Sequence, residues 1–190
     1  MKGFERENRL FSLCGLNCAL CPMQLDGYCP GCGGGAGNQS CTIARCSLNQ
    51  GGLQYCFQCS SFPCGRYREE EYDSFLPHRN RLHELDRVSH IGEDAYRREL
   101  EEKREILLYL LEHYNDGRKK SLFCVAANLL ELAELQEVVH TLMVQERMGP
   151  LTQKERAALA ARLLREQAGR RGIELKLRKK PSKKKTAEKQ

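Results

Sequence analysis

From Tyr67 to Gly172 the apolar positions recur at helical spacing, whereas between Cys14 and Cys64 they show no period at all. Leu107, Leu110, Leu111 and Tyr114 fall at i, i+3, i+4 and i+7 and predict a helix over Glu93–Tyr114, closed by the turn residues Asn115-Asp116-Gly117. Leu122, Val125, Ala126 and Leu129 form a stripe that Leu135, Val138, Val139 and Leu142 continue, which predicts one long helix from Lys120 to Arg147, stopped by Gly149-Pro150. Another helix opens at Thr152, with Glu155 three residues on as a capping box, and runs through Ala157, Ala160, Ala161 and Leu164 to about Ala168. Two shorter helices are expected. One covers Arg66–Leu76, with Tyr72, Phe75 and Leu76 available for burial, and the other covers Asn80–Val88, with Leu82 and Leu85 on one face.

The N-terminal stretch reads differently. Cys32-Gly33-Gly34-Gly35-Ala36-Gly37-Asn38 cannot propagate a helix, and no long apolar run supports a sheet. A segment this poor in large hydrophobes does not order itself, and ligation of metal would supply the missing free energy. The expected fold is therefore a small metal-stabilised cysteine-rich module with little regular structure, followed by an α-helical region, mainly α overall. The expected organisation is a metal-binding module over 10–66, a helical region over 67–172 packing on it, and a disordered basic tail over 173–190.

Composition narrows the class of protein. Of 190 residues, 41% are apolar and 29% charged, and mean hydropathy is −0.60. There is no apolar run long enough to span a bilayer, and Met1–Leu10 carries charges without the apolar core of a secretory signal. A cytoplasmic protein without membrane attachment is the expectation. The formal charge of +6 sits in the tail: Lys176–Gln190 holds eight of the 31 basic residues and one of the 25 acidic ones, leaving 23 basic and 24 acidic residues before it. The tail is expected to be a solvated extension, with weak nucleic-acid contact through residues 176–190 as the alternative.

Ten of the eleven cysteines lie between Cys14 and Cys64. In a reducing compartment that density points to metal or redox chemistry before disulfides. Two thiolates at C-x-x-C spacing grip one metal from a tight turn, and Cys18/Cys21, Cys29/Cys32 and Cys56/Cys59 have that spacing. Cys29-Pro30-Gly31-Cys32-Gly33 is close to a zinc-knuckle pattern. The ten fall into two quintets: Cys14, Cys18, Cys21, Cys29 and Cys32, then Cys41, Cys46, Cys56, Cys59 and Cys64. Two four-thiolate zinc ions are expected, Cys18/Cys21 serving with Cys29/Cys32 and Cys41/Cys46 with Cys56/Cys59, which leaves two sulfurs over. A [4Fe-4S] cluster is the alternative. Cys14, Cys18 and Cys21 have the C-x3-C-x2-C spacing that resembles radical S-adenosylmethionine enzymes, but no alternating β/α units follow to build such an enzyme.

Taken in order, Cys-Gly-x-x-Cys-x-x-Cys (14–21), Cys-x-Gly-Cys (29–32), Cys-x-Ile-x-x-Cys (41–46) and Cys-x-x-Cys-x-x-Phe-Pro-Cys (56–64) resemble the cysteine-rich prokaryotic domain-of-unknown-function family 3795 over about residues 10–115. The resemblance implies a small prokaryotic metal-binding protein without an established activity. Gln24 stands where the resemblance implies an aromatic residue.

Other reactive residues read as structural. Cys124 lies inside an apolar stripe as a core thiol, His78, His83, His90, His113 and His140 lack metal spacing, and Glu69-Glu70-Glu71 is a solvated face. No nucleophile motif or phosphate loop is present, so the leading expectation is a non-enzymatic zinc module whose helical half meets a protein partner. The alternative is an iron–sulfur or thiol redox accessory protein, and a further one is nucleic-acid binding through the knuckle and the tail.

Overall fold

Helix α4, Glu93–His113, is the element on which the others are laid. The computed structural model describes residues 3–35, 41–67 and 72–179, and among them it holds seven α-helices, three single 3-10 turns and no strand. The cysteine-rich region contributes the short α1, Pro22–Leu25, and α2, Thr42–Asn49, with 3-10 turns at Cys18–Leu20, Cys56–Gln58 and Gly65–Tyr67. After it come α3, Arg81–Ile91, then α4, α5, Lys120–Leu129, α6, Leu132–Met148, and α7, Gln153–Arg170. Helix α4 packs against α3, α5, α6 and α7 and against the Cys18–Leu20 turn. No helix among the described residues is long and apolar enough to cross a membrane.

The predicted stripe of α4 is the buried one: Leu107, Leu110 and Tyr114 are enclosed, together with Tyr96 and Leu100 a few turns earlier. Each fully buried leucine contributes about 2 kcal/mol of apolar transfer. In α3, Leu85 and Val88 face the core, but Leu82 remains exposed because the inward face also carries Arg81 and Glu84. The helix expected over Arg66–Leu76 does not form in its described parts: Gly65–Tyr67 is one 3-10 turn and residues 72–76 bend without helical pairing. Residues 68–71, which include the Glu69-Glu70-Glu71 face, lie outside the described residues.

The single helix expected from Lys120 to Arg147 is two. Leu130 is extended (φ −92°, ψ 149°) and Glu131 (ψ 156°) caps a new start. Glu134 turns its carboxylate back to accept the Glu131 N–H at 2.7 Å, and Arg171 clamps both carboxylates at 3.3 and 3.1 Å. The bend lets Leu130 enter the core while α6 turns to pack on α4 and α7. Helix α7 starts as expected. Its Thr152 Oγ1 accepts from the Glu155 N–H and the Glu155 carboxylate accepts from the Thr152 N–H at 2.9 Å. It passes through Gly169 to end at Arg170.

The segment after α7 departs from the disordered tail expected from residue 173. Residues 173–179 run back along the 72–79 loop, where Asp73 and Arg178 exchange backbone contacts and Arg79 donates to the carbonyls of Glu174 and Lys176. Ile173 and Leu175 lie half-buried on the main core. Residues 180–190 lie outside the described residues.

One core unites both halves of the chain. Phe11, Ala19, Leu20 and Tyr55 of the cysteine-rich region pack in the same cluster as Leu85, Tyr96, Leu107, Phe123 and Leu164. A satellite cluster of Phe4, Leu13, Ile43 and Ala44 lies beneath the cysteines, with Cys14, Cys32 and Cys56 against it. The N-terminal region thus has apolar burial that its sequence did not suggest, in one cluster shared with the helices and one of its own. The aromatic and aliphatic residues that do this are dispersed between glycines and cysteines, so no run reveals them.

Candidate functional site

The stretch Arg9–Leu13 is the spine of the cysteine-rich region. The Arg9 carbonyl accepts from the Cys32 N–H at 3.0 Å, the Leu10 carbonyl from Ala19 at 2.8 Å, and the Leu13 carbonyl from Cys56 at 3.0 Å. Three cysteine-bearing turns are therefore hung on five consecutive residues, whose alternate side chains Phe11 and Leu13 are buried in the two clusters. The knuckle-like turn closes tightly on this spine. Gly31 (φ +86°) and Gly33 (φ +81°) adopt left-handed conformations, and a Cβ on Gly31 would meet the Arg9 carbonyl at 2.2 Å.

A cavity of about 190 Å³ opens above the satellite core, with Cys14, Cys18, Cys29, Cys32 and Cys41 on its wall beside Leu13 and Ile43. A second, of about 30 Å³, is lined by Cys46, Cys56, Cys59 and Cys64 with Tyr67, and Leu13 and Ile43 line this one too. Cys41 borders the first cavity and not the second, because α2 begins just after it and carries Ile43 and Ala44 into the satellite core. Cys21 lies beside Cys18 and Cys29 at the start of α1 without lining the cavity. All ten cysteines are reduced, and among the described residues no three His, Cys, Asp or Glu side chains are gathered to hold a metal ion.

Electrostatics opposes ionisation of several thiols. Burial pushes Cys18 far above the usual thiol range, and the neighbouring Cys32, Cys14 and Cys21 add to it. Burial also raises Cys21 and Cys32. The N–H groups of Met23 and Gln24 favour the Cys21 thiolate, and the Leu13 N–H and the Arg6 charge favour that of Cys32. Cys56 is pushed up to about 11 by burial, against the Tyr67 hydroxyl that favours its thiolate. These sulfurs are protonated at neutral pH, and uptake of a metal must expel their protons.

Two buried polar groups stand beside the thiols. Nη2 of Arg6 and the hydroxyl of Tyr67 have no hydrogen-bond partner of ordinary geometry, and both are shielded from solvent. Arg6 stands by Cys32 and Tyr67 by Cys56. A neutral thiol is a poor acceptor for either, whereas a metal-bound thiolate accepts from both. The cysteines thus line two cavities beside a buried guanidinium and a buried phenol, without being drawn together as a closed ligand set.

Position is held from the helical side. Asn17, at the head of the Cys18–Leu20 turn, has Oδ1 2.7 Å from the Tyr96 hydroxyl, which also lies 2.5 Å from Glu84 Oε2. Glu84 in turn receives Asn80 Nδ2. Gly15 (φ +90°) lets the chain pass against α3, where a Cβ would stand 2.3 Å from the Arg81 carbonyl. Arg6, Tyr67 and this Asn17–Tyr96–Glu84 chain carry no motif. Only the alternation Phe11, Leu13 signals the spine.

The remaining candidates are structural. Cys124 is enclosed in α5 and is raised by burial to about 12. His78 shares a hydrogen bond with Ser74 Oγ at 3.0 Å, and His83 lies 3.7 Å from Glu84. No protein-family model, curated protein or solved structure matches the chain.

Proposed function

We propose that the cysteine-rich region is a metal–thiolate module with two unequal centres, the first holding an iron–sulfur cluster, and that the protein is a redox accessory of a protein partner. The observation that carries this reading is the cavity of about 190 Å³ walled by five cysteines. A closed zinc site gathers four sulfurs about 2.3 Å from one point, and among the described residues no three thiols are gathered in that way. A polynuclear cluster needs its thiolates held apart around a space. Bound there, such a cluster supplies one-electron transfer at a potential set by its surroundings. Cys14, Cys18, Cys29 and Cys32 would hold it, and Cys41 borders the same cavity. The apolar floor of Phe4, Leu13, Ile43 and Ala44 keeps water from that side. Ser12 Oγ, 3.3 Å from Cys14 Sγ, orients the first of these sulfurs.

The smaller space among Cys46, Cys56, Cys59 and Cys64, about 30 Å³, favours a single ion, and zinc is the reading for that centre. The experiment is metal and sulfide analysis of the full chain, purified without oxygen and reconstituted with ferrous iron and sulfide. The expected product is coloured, contains iron and sulfide, and retains zinc at the second centre. Cys18→Ser should abolish the colour and leave the zinc. A colourless protein holding two zinc ions and no iron would overturn the cluster assignment.

A further inference from the structure

We infer that Arg6 is a built-in counter-charge for the first centre, and that the group seated there carries net negative charge. This rests on the metal–thiolate reading above and adds the charge of the occupant and the residue that answers it.

Arg6 is 4% exposed. Its Nε donates to the Gln54 carbonyl at 3.0 Å, and its Nη1 donates to the carbonyls of Asn8 and Phe11 at 2.9 and 2.7 Å. The guanidinium carbon lies 4.8 Å from the centre of the Tyr55 ring. Every one of these partners is neutral, and what remains of the buried guanidinium faces the Cys32 thiol, with Nη2 meeting no acceptor in good geometry. A guanidinium cannot shed its proton, so the positive charge is permanent. Burying it without an anion is costly, and carbonyl dipoles and a ring face offset only part of that cost.

The backbone holds this charge at the cysteines. The missing Cβ of Gly33 would stand 2.8 Å from the Arg6 nitrogen and 2.9 Å from its Cβ and Cγ, so the arginine stem lies directly against the Cys32–Gly33 turn. Cys32 is fixed there by its N–H to the Arg9 carbonyl. The guanidinium charge favours the Cys32 thiolate over the thiol. A thiolate-bound metal group at Cys32 would replace this neutral thiol with an anion for the buried guanidinium.

The test compares the full-length wild type with Arg6→Gln and Arg6→Lys after anaerobic reconstitution, reading the rate of cluster loss to a chelator and the reduction potential. Loading of the wild type is measured first. If it takes up neither cluster nor zinc, the metal–thiolate reading itself falls. With the wild type loaded, Arg6→Gln is expected to lose its cluster about tenfold faster or more, the scale of an outer-shell partner. Its potential should move to a more negative value, because the reduced centre loses a neighbouring cation. Arg6→Lys should restore most of both properties, which a purely structural role would not allow. Wild-type retention and potential in a folded Arg6→Gln would overturn the inference. Because glutamine leaves backbone carbonyls unpaired, a second variant guards against misfolding: citrulline at position 6, introduced by ligating a synthetic 1–13 peptide to a chain beginning at Cys14. Citrulline keeps the shape and most of the donors without the charge, so its behaviour must match Arg6→Gln, and a citrulline protein equal to wild type would also overturn the inference.

Discussion

Glu84 is 3% exposed on α3, and burial alone would push its carboxyl upward. The contacts with His83, Lys103 and Tyr96 outweigh that and hold it below its ordinary value of 4.5. A carboxylate depressed by folding contributes stability above its unfolded value, and that contribution is lost as pH falls through the folded one. His83 is shifted in the opposite sense, raised above 6.5 chiefly by its hydrogen bond to Glu84, so its share is present below pH 6.5 and fades as pH rises through the folded value. Urea unfolding of the wild type should therefore show a loss of stability below pH 4.5 that Glu84→Gln lacks. At neutral pH that variant should be less stable by about 1–2 kcal/mol. A parallel acid response in both proteins would remove Glu84 from the account. At this scale the cysteines and the Gly31 and Gly33 turn were readable, because ligand spacing and left-handed turns restrict residue type. Arg6 was not, since its partners are backbone carbonyls, one of them 48 residues away, and a carbonyl leaves no mark on residue identity.

Helices α4 and α7 follow the sequence pattern closely, because an apolar stripe and a capping box are local causes with local effects. Thr152→Ala removes one such cause and should lower stability by about 1 kcal/mol, seen as a drop in Tm with the helical signal otherwise retained. The break between α5 and α6 was missed, because the apolar stripe was read as continuous across it. Leu129 to Leu135 is a step of six residues, which swings the second stripe off the face of the first, and Glu131-x-x-Glu134 supplies a fresh start. The docking of 173–179 had no such cue. Asp73 accepts the N–H groups of Arg178 and His78 at 2.7 Å, and this pairing across 105 residues is visible only once α7 has brought the chain back. Deleting 173–190 should cost about 2 kcal/mol through the exposed Ile173 and Leu175 and the lost Asp73 contacts, whereas deleting 181–190 leaves those contacts intact. Chemical denaturation of the two truncations distinguishes these effects.

Across the whole molecule, the cysteine-rich region and the helices share one core, so metal and fold are less tightly bound together than in a small metal-nucleated domain. Phe11, Leu20 and Tyr55 pack on α4 and its neighbours through apolar contacts that require no ligated thiol. Treatment with a strong chelator under reducing conditions should therefore leave the far-UV helical signal and a cooperative thermal transition, while peptide bonds in 29–35 and 41–64 become more open to protease. Collapse of the helical signal on chelation would restore metal to the role of principal organiser. Mainly helical architecture was accessible from the sequence. The shared core was not, because its N-terminal members are single residues scattered among glycines, and only the spine at Arg9–Leu13 brings them into line.

Leu13 and Ile43 each border both cavities. Each is a shared wall, so a change in either is felt in both cavities at once. A smaller residue at Leu13 would enlarge both spaces. A larger one would crowd both. Neither cavity can therefore be reshaped at this wall without altering its neighbour.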